Sequence, residues 1–188
     1  MERISLAILT LLAFLVRLMR SLEVPYPLGT DGYYYVVQVE SLLAQGRLHV
    51  PDASWVHPWL ACAAGLVGDP VFGVKVGSAL LAAACVPAAY ALGQALGNNR
   101  TCGWLLAAWA AASPTLTLLG ADFLKNLGVA APFLGLLALF ALGWGRPSRW
   151  RGAWWRPATL VVLALLVAIA HRTGAALLLV GGVGWGPC

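Results

Sequence analysis

The longest polar stretch of this sequence begins with Gly29-Thr-Asp-Gly-Tyr-Tyr-Tyr-Val-Val-Gln-Val-Glu-Ser-Leu-Leu-Ala-Gln-Gly-Arg47 and ends in Trp55-Val-His-Pro58. The rest of the chain is almost continuously apolar. Five of the seven acidic residues and two of the three histidines lie in or beside this stretch: Glu23, Asp31, Glu40, Asp52, Asp69, His49 and His57. Any chemistry is therefore expected here, at the edge of the apolar segments.

The composition is that of a membrane protein. Of 188 residues, 61% are hydrophobic and 10% charged, with a mean hydropathy of +0.81, whereas soluble domains carry about 25% charged residues. The net charge of +5 comes from arginines between apolar runs, which favours orientation in a membrane over nucleic-acid binding. The four cysteines show no C-x-x-C spacing and are interpreted as packing residues. Heavy use of Leu, Ala, Gly, Trp and Arg is typical of a GC-rich bacterial genome.

Residues 1–22 form the first apolar run, with Arg17 and Arg20 near its end. A basic start and a long apolar core are also typical of a signal peptide. No clean cleavage site follows, so we interpret the run as an uncleaved first span with a cytoplasmic N-terminus. About 20 residues are needed to cross a bilayer, and this run is just long enough.

A second helix is predicted from Thr30 or Asp31, as N-cap, to about Gln45, with Gly46 at its C-terminal end. One face carries Val36, Val39 and Leu43, and the other carries Asp31, Tyr34, Tyr35 and Gln38. This pattern predicts a helix on the membrane surface, with its tyrosines at headgroup level.

The rest of the chain alternates apolar runs with short polar breaks. Residues 55–67 are too few to cross a bilayer comfortably. Longer runs cover 71–96, 102–119, 127–144 and 157–185, the last interrupted by His171-Arg172, which we interpret as a turn between two short or re-entrant helices.

Topology depends on residues 55–67. If this segment spans, the loop of residues 145–156, with four arginines and no acid, faces outward, against the positive-inside rule. If it is half-embedded, Arg100 and that loop are cytoplasmic, and residues 23–70, 122–125 and 171–172 meet outside. We choose the second arrangement.

The predicted fold is all-α: one membrane domain over residues 1–188 in the plasma (inner) membrane, with about six transmembrane or re-entrant helices. It comprises a first span (1–22), an outer loop with interfacial helices (23–70) and the remaining spans (71–188).

The polar residues of the outer side have both functional and structural interpretations. Asp31 is a general base, a metal ligand or a plain N-cap. The tyrosines line a sugar or lipid site or serve as interfacial aromatics. His49, Asp52 and His57 offer metal-ligand atoms but match no strict metal signature.

Two further polar groups interrupt the later apolar runs. Asp122, Lys125 and Asn126 share one helix face, either as a capped span with a satisfied ion pair or as a functional group, since ionisable residues at membrane depth are costly. His171-Arg172 has no evident structural need for charge, and arginine suits a phosphate. Together these residues predict an outward-facing pocket for an anionic lipid carrier.

The order of these features resembles the GT-C superfamily. In this chain the order is a first span ending in Arg, then Asp31-Gly-Tyr-Tyr-Tyr with Gln38 and Gly46, then His57-Pro58, then Asp122 in an outer loop. These multi-span glycosyltransferases, which include protein O-mannosyltransferases, aminoarabinose transferases and oligosaccharyltransferase catalytic subunits, use polyprenyl-phosphate-linked sugars.

The resemblance implies roles for particular residues. Asp31 matches the catalytic acid of the first outer loop, and Asp122 matches a second acid in the next one. A divalent cation, Mg²⁺ or Mn²⁺, held by Asp31 and Asp122, is a further implication. The substrate-binding residues would be Tyr34, Tyr35, Gln38, His57, Lys125, Asn126, His171 and Arg172.

The chain departs from this family in two ways. Gly32 stands where many relatives have a second acid, which weakens a two-carboxylate metal site in that loop. Relatives are also longer, so the chain is expected to correspond to the N-terminal portion of such an enzyme, truncated or completed by a missing C-terminal half. The expected partners are the bilayer and a lipid-phosphate-linked sugar donor, without nucleic acid. The alternatives are a non-catalytic fragment or scaffold packing with a membrane partner, and a transporter, which no internal repeat supports.

Overall fold

The computed structural model describes residues 2–27, 29, 31–143 and 155–170. These residues form eight helices and no strand, which confirms the all-α prediction. The helices are α1 (Glu2–Leu22), α2 (Gly32–Gln45), α3 (Val56–Val67), α4 (Pro70–Gly97), α5 (Arg100–Ala112), α6 (Pro114–Asp122), α7 (Leu124–Gly143) and α8 (Trp155–Ala170).

Fewer helices are long enough to cross a membrane than the sequence suggested. Three of those described, α1, α4 and α7, have the required length and hydropathy, and α5 with α6 adds a fourth if that bent pair is one span. Helix α3 and the apolar part of α8 are shorter than a span. The prediction of about six transmembrane or re-entrant helices is therefore met only in its coarser form, that of an apolar helical bundle.

Helix α1 shows why the bundle belongs in a membrane. One of its faces is apolar and exposed, with Ile4, Leu12 and Met19 exposed by 65%, 53% and 68%. Its inward face buries only Ala13 and Arg17. A contiguous apolar surface of this kind is unfavourable in water and favourable against lipid chains.

The long helices define two ends of the bundle. Glu2 accepts hydrogen bonds from Tyr90 and Gln94 near the end of α4, so α1 and α4 are antiparallel. At the other end, Ser78 Oγ in α4 donates to Gly120 O, 2.7 Å away, at the end of α6. We call the end where α1 finishes and α4 and α7 begin the site end.

The breaks between helices follow from local chemistry. Gly46 and Gly68 adopt left-handed φ angles of 68° and 76°, which glycine allows without strain, and so end α2 and α3. The side chain of Asp69 caps α4 by accepting the N–H of Phe72 at 2.6 Å. Asp31 occupies the N-cap position of α2 as predicted, but its side chain makes no capping hydrogen bond. Thr30 lies outside the described residues.

The predicted span 102–119 is bent rather than straight. Pro114 has no N–H to continue α5, and α6 leaves the axis of α5 by 46°. Ser113 caps the new helix by accepting the N–H of Leu116. The bend directs the end of α6 toward the start of α7, where the polar residues 122–126 lie.

Helix α2 is oriented differently from the predicted surface helix. Tyr35 and Gln38 are exposed by only 2% and 0%, whereas Leu43 on the apolar face is exposed by 49%. Val36 and Val39 are buried as well, so part of each predicted face packs inward, and the buried polar groups of Tyr35 and Gln38 find protein partners there. Tyr33 points outward and is exposed by 53%.

Candidate functional site

Asp52 is the centre of a polar cluster at the site end. Its Oδ2 atom forms an ion pair with Lys125 Nζ and accepts a hydrogen bond of 3.0 Å from the Tyr34 hydroxyl. Its Oδ1 atom accepts the backbone N–H of Ser54 at 3.0 Å. His57 Nε2 lies 3.2 Å from Oδ2. One carboxylate therefore joins the loop after α2, the start of α3 and the start of α7.

The electrostatics of the cluster favour an ionised Asp52. Burial alone would raise the pKa of its carboxyl, but the hydrogen bond from Lys125, followed by those from Ser54 and Tyr34 and the polar contact with His57, lowers the pKa well below its ordinary value. Burial of His57 lowers the pKa of its imidazole, and the nearby carboxylate only partly offsets this. The cluster thus pairs one carboxylate and one ammonium around a neutral ring.

His57 is the least well bonded member of the cluster. It is fully buried, and among the described residues neither ring nitrogen has a hydrogen bond of regular geometry. The 3.2 Å approach of Nε2 to Asp52 is therefore a polar contact with poor alignment. Rings of Tyr34 and Tyr35 pack against the imidazole, each with its centroid 5.8 Å away.

Gln38 fixes the loop that carries Asp52. Its amide donates to Val50 O at 2.9 Å and accepts the N–H of Val50 at 3.1 Å. It also donates to the Tyr34 hydroxyl at 2.8 Å, which in turn donates to Asp52. A buried side chain from α2 thus completes the backbone hydrogen bonding of an otherwise irregular loop.

Helix α8 anchors the segment between Asp52 and His57. Ser54 Oγ donates to Ala170 O at 2.7 Å, and Trp55 Nε1 donates to Leu166 O at 2.8 Å. Both acceptors lie in the last turn of α8. The described end of α8 therefore lies beside the segment that carries Asp52.

An open cleft lies on the outer side of this cluster. It has a volume of about 270 Å³ and is lined by Asp31, Tyr34, Tyr35, Phe123, Lys125 and Asn126. The Tyr35 hydroxyl accepts the N–H of Lys125 at 3.3 Å, and burial raises the pKa of Tyr35 to about 12, so the phenol stays protonated. We call this space the Asp31 cleft.

Asp122 lies against the loop that carries Asp31. A methyl group built on Gly29 would coincide with the Asp122 carboxylate, and Gly29 has a φ of +82°. Only glycine allows both the backbone conformation and this close approach. The loop before α2 and the end of α6 are therefore in contact two residues away from Asp31.

The predicted site residues fall into four groups. Asp122 is not among the residues that line the Asp31 cleft and lies against Gly29 instead. Those lining the Asp31 cleft are Asp31, Tyr34, Tyr35, Lys125 and Asn126. Gln38 and His57 lie behind Asp52, fully buried and held by protein groups. His171 and Arg172 lie outside the described residues.

Asp52 and Ser54 are missing from the sequence-based set of site residues. The sequence suggests Asp52 only as a metal ligand, because its partner Lys125 is 73 positions away in the chain. The sequence feature that could have indicated Asp52 is its position five residues before His57, the only histidine followed by proline, in a chain with few charged residues.

The predicted divalent cation finds no ready site among the described residues. No three His, Cys, Asp or Glu side chains there are grouped so that they could hold a metal ion. Two ligands from Asp31 and Asp122 leave most of a Mg²⁺ coordination shell to water and substrate. The cation stays a prediction, and no chemical step below depends on it.

Comparisons with known proteins leave the family open. No protein-family model, no curated protein and no solved structure matches this chain.

Proposed function

We propose that the chain is a membrane glycosyltransferase of GT-C type, or the N-terminal portion of one. It would transfer a sugar from a polyprenyl-phosphate-linked donor to an acceptor at the outer face of the membrane. The observation that carries the proposal is the sharing of one open cleft by the Asp31 carboxylate and the Lys125–Asn126 pair. A base and phosphate-binding groups are the two requirements of this reaction.

In the proposed reaction an acceptor oxygen attacks the anomeric carbon of the donor sugar. The bond between that carbon and the phosphate oxygen breaks, and the polyprenyl phosphate leaves as an anion. Asp31 takes the proton of the acceptor as general base. Lys125 and Asn126 donate to the leaving phosphate, and His171 and Arg172 are proposed to add donors.

Asp52 has a positioning role in this proposal. It holds the Lys125 ammonium 5.2 Å above the Tyr34 ring centroid and at the edge of the cleft. A lysine held in this way needs no reorganisation when negative charge develops on the leaving group. Asp122 supports the same loop through its contact with Gly29.

The proposed orientation places the site end outside the plasma membrane. Arg3 and Arg100 lie at the opposite end, where Arg100 contacts Glu2 at 3.2 Å. The arginine-rich connection between α7 and α8 starts from that end as well, since α7 begins at the site end and packs along α4. The site end itself carries Arg20, Arg47 and Lys125, so the proposed orientation rests on the four arginines of residues 145–156, whose cluster favours a cytoplasmic location.

The test compares Asp31→Asn with Glu40→Gln, an exposed carboxylate on the same helix. Both proteins are reconstituted in lipid with labelled polyprenyl-phosphate sugars and an acceptor mixture. We expect Asp31→Asn to lose transfer by about 10²- to 10⁴-fold, the usual contribution of a general base, and Glu40→Gln to match the wild type. Transfer unchanged in Asp31→Asn, or wild-type protein that neither binds nor turns over any donor, would contradict the proposal.

A further inference from the structure

A second polar cleft lies inside the helix bundle, between α1, α4 and α6. The polar side chains that line it are Arg17, Ser21, Lys75, Ser78 and Thr117, and Leu124 separates it from the residues of the Asp31 cleft. Arg17 and Lys75 are exposed by only 6% and 5%. We call it the Arg17–Lys75 cleft.

Arg17 is held by two backbone carbonyls. Its Nη1 donates to Ala13 O at 3.1 Å and its Nη2 to Ala110 O at 2.8 Å. Ala110 lies four residues before Pro114, which has no N–H to offer it, so the arginine supplies the short hydrogen bond to this carbonyl, beside a longer contact of 3.4 Å from the Ser113 N–H. The Nε atom is buried and has no partner among the described residues.

Lys75 is held in the same manner. Its ammonium donates to Val24 O at 2.6 Å and to Pro25 O at 3.2 Å, in the loop after α1. An ammonium has three N–H bonds, so one donor is left for a further acceptor. Both cations thus retain N–H donors beyond these hydrogen bonds.

Backbone carbonyls accept some of the hydrogen bonds that these cations donate, but they do not neutralise the positive charges. Across the described residues neither Arg17 nor Lys75 has a carboxylate within 4.0 Å. Asp69, six residues before Lys75, is exposed and caps α4. Two buried positive charges facing one cleft are costly in a medium of low dielectric constant unless an anion joins them.

The position of the cleft indicates the kind of anion. Arg17 lies five residues before the end of α1 and Lys75 five residues after the start of α4, so both are about 7 Å below the site end. Helix α1 is about as long as the hydrocarbon core is thick, so this level lies about 7 Å inside the edge of the core. The ammonium of Lys75 reaches from there to Val24 O and Pro25 O, beyond the end of α1 and toward the level of lipid phosphates. Arginine and lysine with free N–H groups are suited to phosphate oxygens.

We propose that the Arg17–Lys75 cleft is a binding site for a phosphate-type oxyanion, supplied either by an anionic lipid headgroup or by a free phosphate. The anion accepts Nε–H of Arg17 and the third N–H of Lys75, and it neutralises both charges. This site is separate from the Asp31 cleft, and it does not depend on any transfer reaction.

The experiment uses the full chain in alkyl-maltoside micelles, which contain no phosphorus. Thermal unfolding is followed with added inorganic phosphate, with added phosphatidylglycerol, and with chloride at equal ionic strength. At a hundredfold excess over the Kd we expect the Tm to rise by about 5–10 °C with the true ligand. A rise with phosphate identifies a free oxyanion, a rise with phosphatidylglycerol alone identifies a headgroup, and no rise with either overturns the proposal.

The location is tested by isotope labelling, because Lys75 and Lys125 are the only lysines of the chain. With ¹⁵N-lysine, ³¹P–¹⁵N dipolar dephasing should appear at Lys75 Nζ and persist in Lys125→Gln. Arg17→Lys keeps the charge but removes Nε–H, and should reduce the Tm response, whereas Arg20→Gln, exposed on the same helix, should keep it. Dephasing only at Lys125, or an equal response in Arg17→Lys and wild type, would refute the assignment.

Discussion

The hydroxyl of Tyr34 donates a hydrogen bond of 3.0 Å to the same oxygen of Asp52 that faces Lys125 and His57. The hydroxyl also accepts from Gln38 at 2.8 Å. The Tyr34 hydroxyl therefore connects α2 to Asp52 by hydrogen bonds. Removing this hydroxyl tests whether the residues of the Asp52 cluster stabilise one another.

Tyr34→Phe should lower the free energy of unfolding by about 0.5–1.5 kcal/mol, the usual net contribution of one hydrogen bond. The ring and its contact with His57 are retained, so packing changes little. The matched control is Tyr33→Phe, which removes the same atom from a neighbouring ring exposed by 53%. Chemical denaturation in micelles measures both, and equal stability of the two variants would argue against a linked cluster.

Acid should destabilise the protein in two steps. The pKa of His57 is lowered in the folded protein, so the unfolded chain binds the proton more readily, and stability falls as the pH drops below about 6.5. The pKa of Asp52 is lowered too, so its contribution is complete above about pH 4 and is lost as the pH falls toward the folded-state value.

The two steps are separable by substitution. His57→Gln should remove the step below pH 6.5, and Asp52→Asn should remove the step at lower pH. His49→Gln, an exposed histidine, should keep the wild-type profile of Tm against pH. A wild-type Tm that is constant between pH 7 and pH 5 would be incompatible with the buried neutral imidazole.

Gly29→Ala should disturb the loop that carries Asp31. The new methyl group meets the Asp122 carboxylate, and the residue must hold a φ of +82°. Strain and overpacking together should cost about 2 kcal/mol or more. If transfer depends on the position of Asp31, turnover should also fall by about 10- to 100-fold.

Gly46→Ala is the matched control for that variant. Gly46 has a similar φ of +68° but no neighbouring atom within 4 Å of an added methyl group, so only the backbone cost of about 1 kcal/mol remains. The comparison isolates the contact with Asp122. Identical Tm values and activities for the two variants would show that this contact has no consequence.

The sequence predicts local features of this fold well. The positions of proline and glycine between apolar runs correctly predict the end of α2 at Gly46 and the long helix α4, because these features depend on neighbouring residues alone. The inward orientation of Tyr35 and Gln38 was not predicted, since amphipathic periodicity does not say whether a polar face meets water or a buried partner. The Asp52–Lys125 pair was missed for a related reason: it depends on how α3 and α7 pack.

Arg17 and Pro114 should be energetically coupled, although they lie on different helices. Proline removes the N–H that would bond Ala110 O in a continuous helix; Arg17 Nη2 donates to this oxygen at 2.8 Å, beside a longer contact of 3.4 Å from the Ser113 N–H. Arg17→Met should therefore cost about 1.5–3 kcal/mol in the wild type, because it removes a hydrogen bond from a charged donor, the shorter of the two that a buried carbonyl accepts. In a Pro114→Ala background, the alanine N–H can bond Ala110 O, and the same substitution should cost about 1 kcal/mol less. A double-mutant cycle of unfolding free energies in phosphate-free micelles measures this difference. Purely additive effects would mean that Arg17 contributes through its charge or its packing, and not by replacing the hydrogen bond that proline removes.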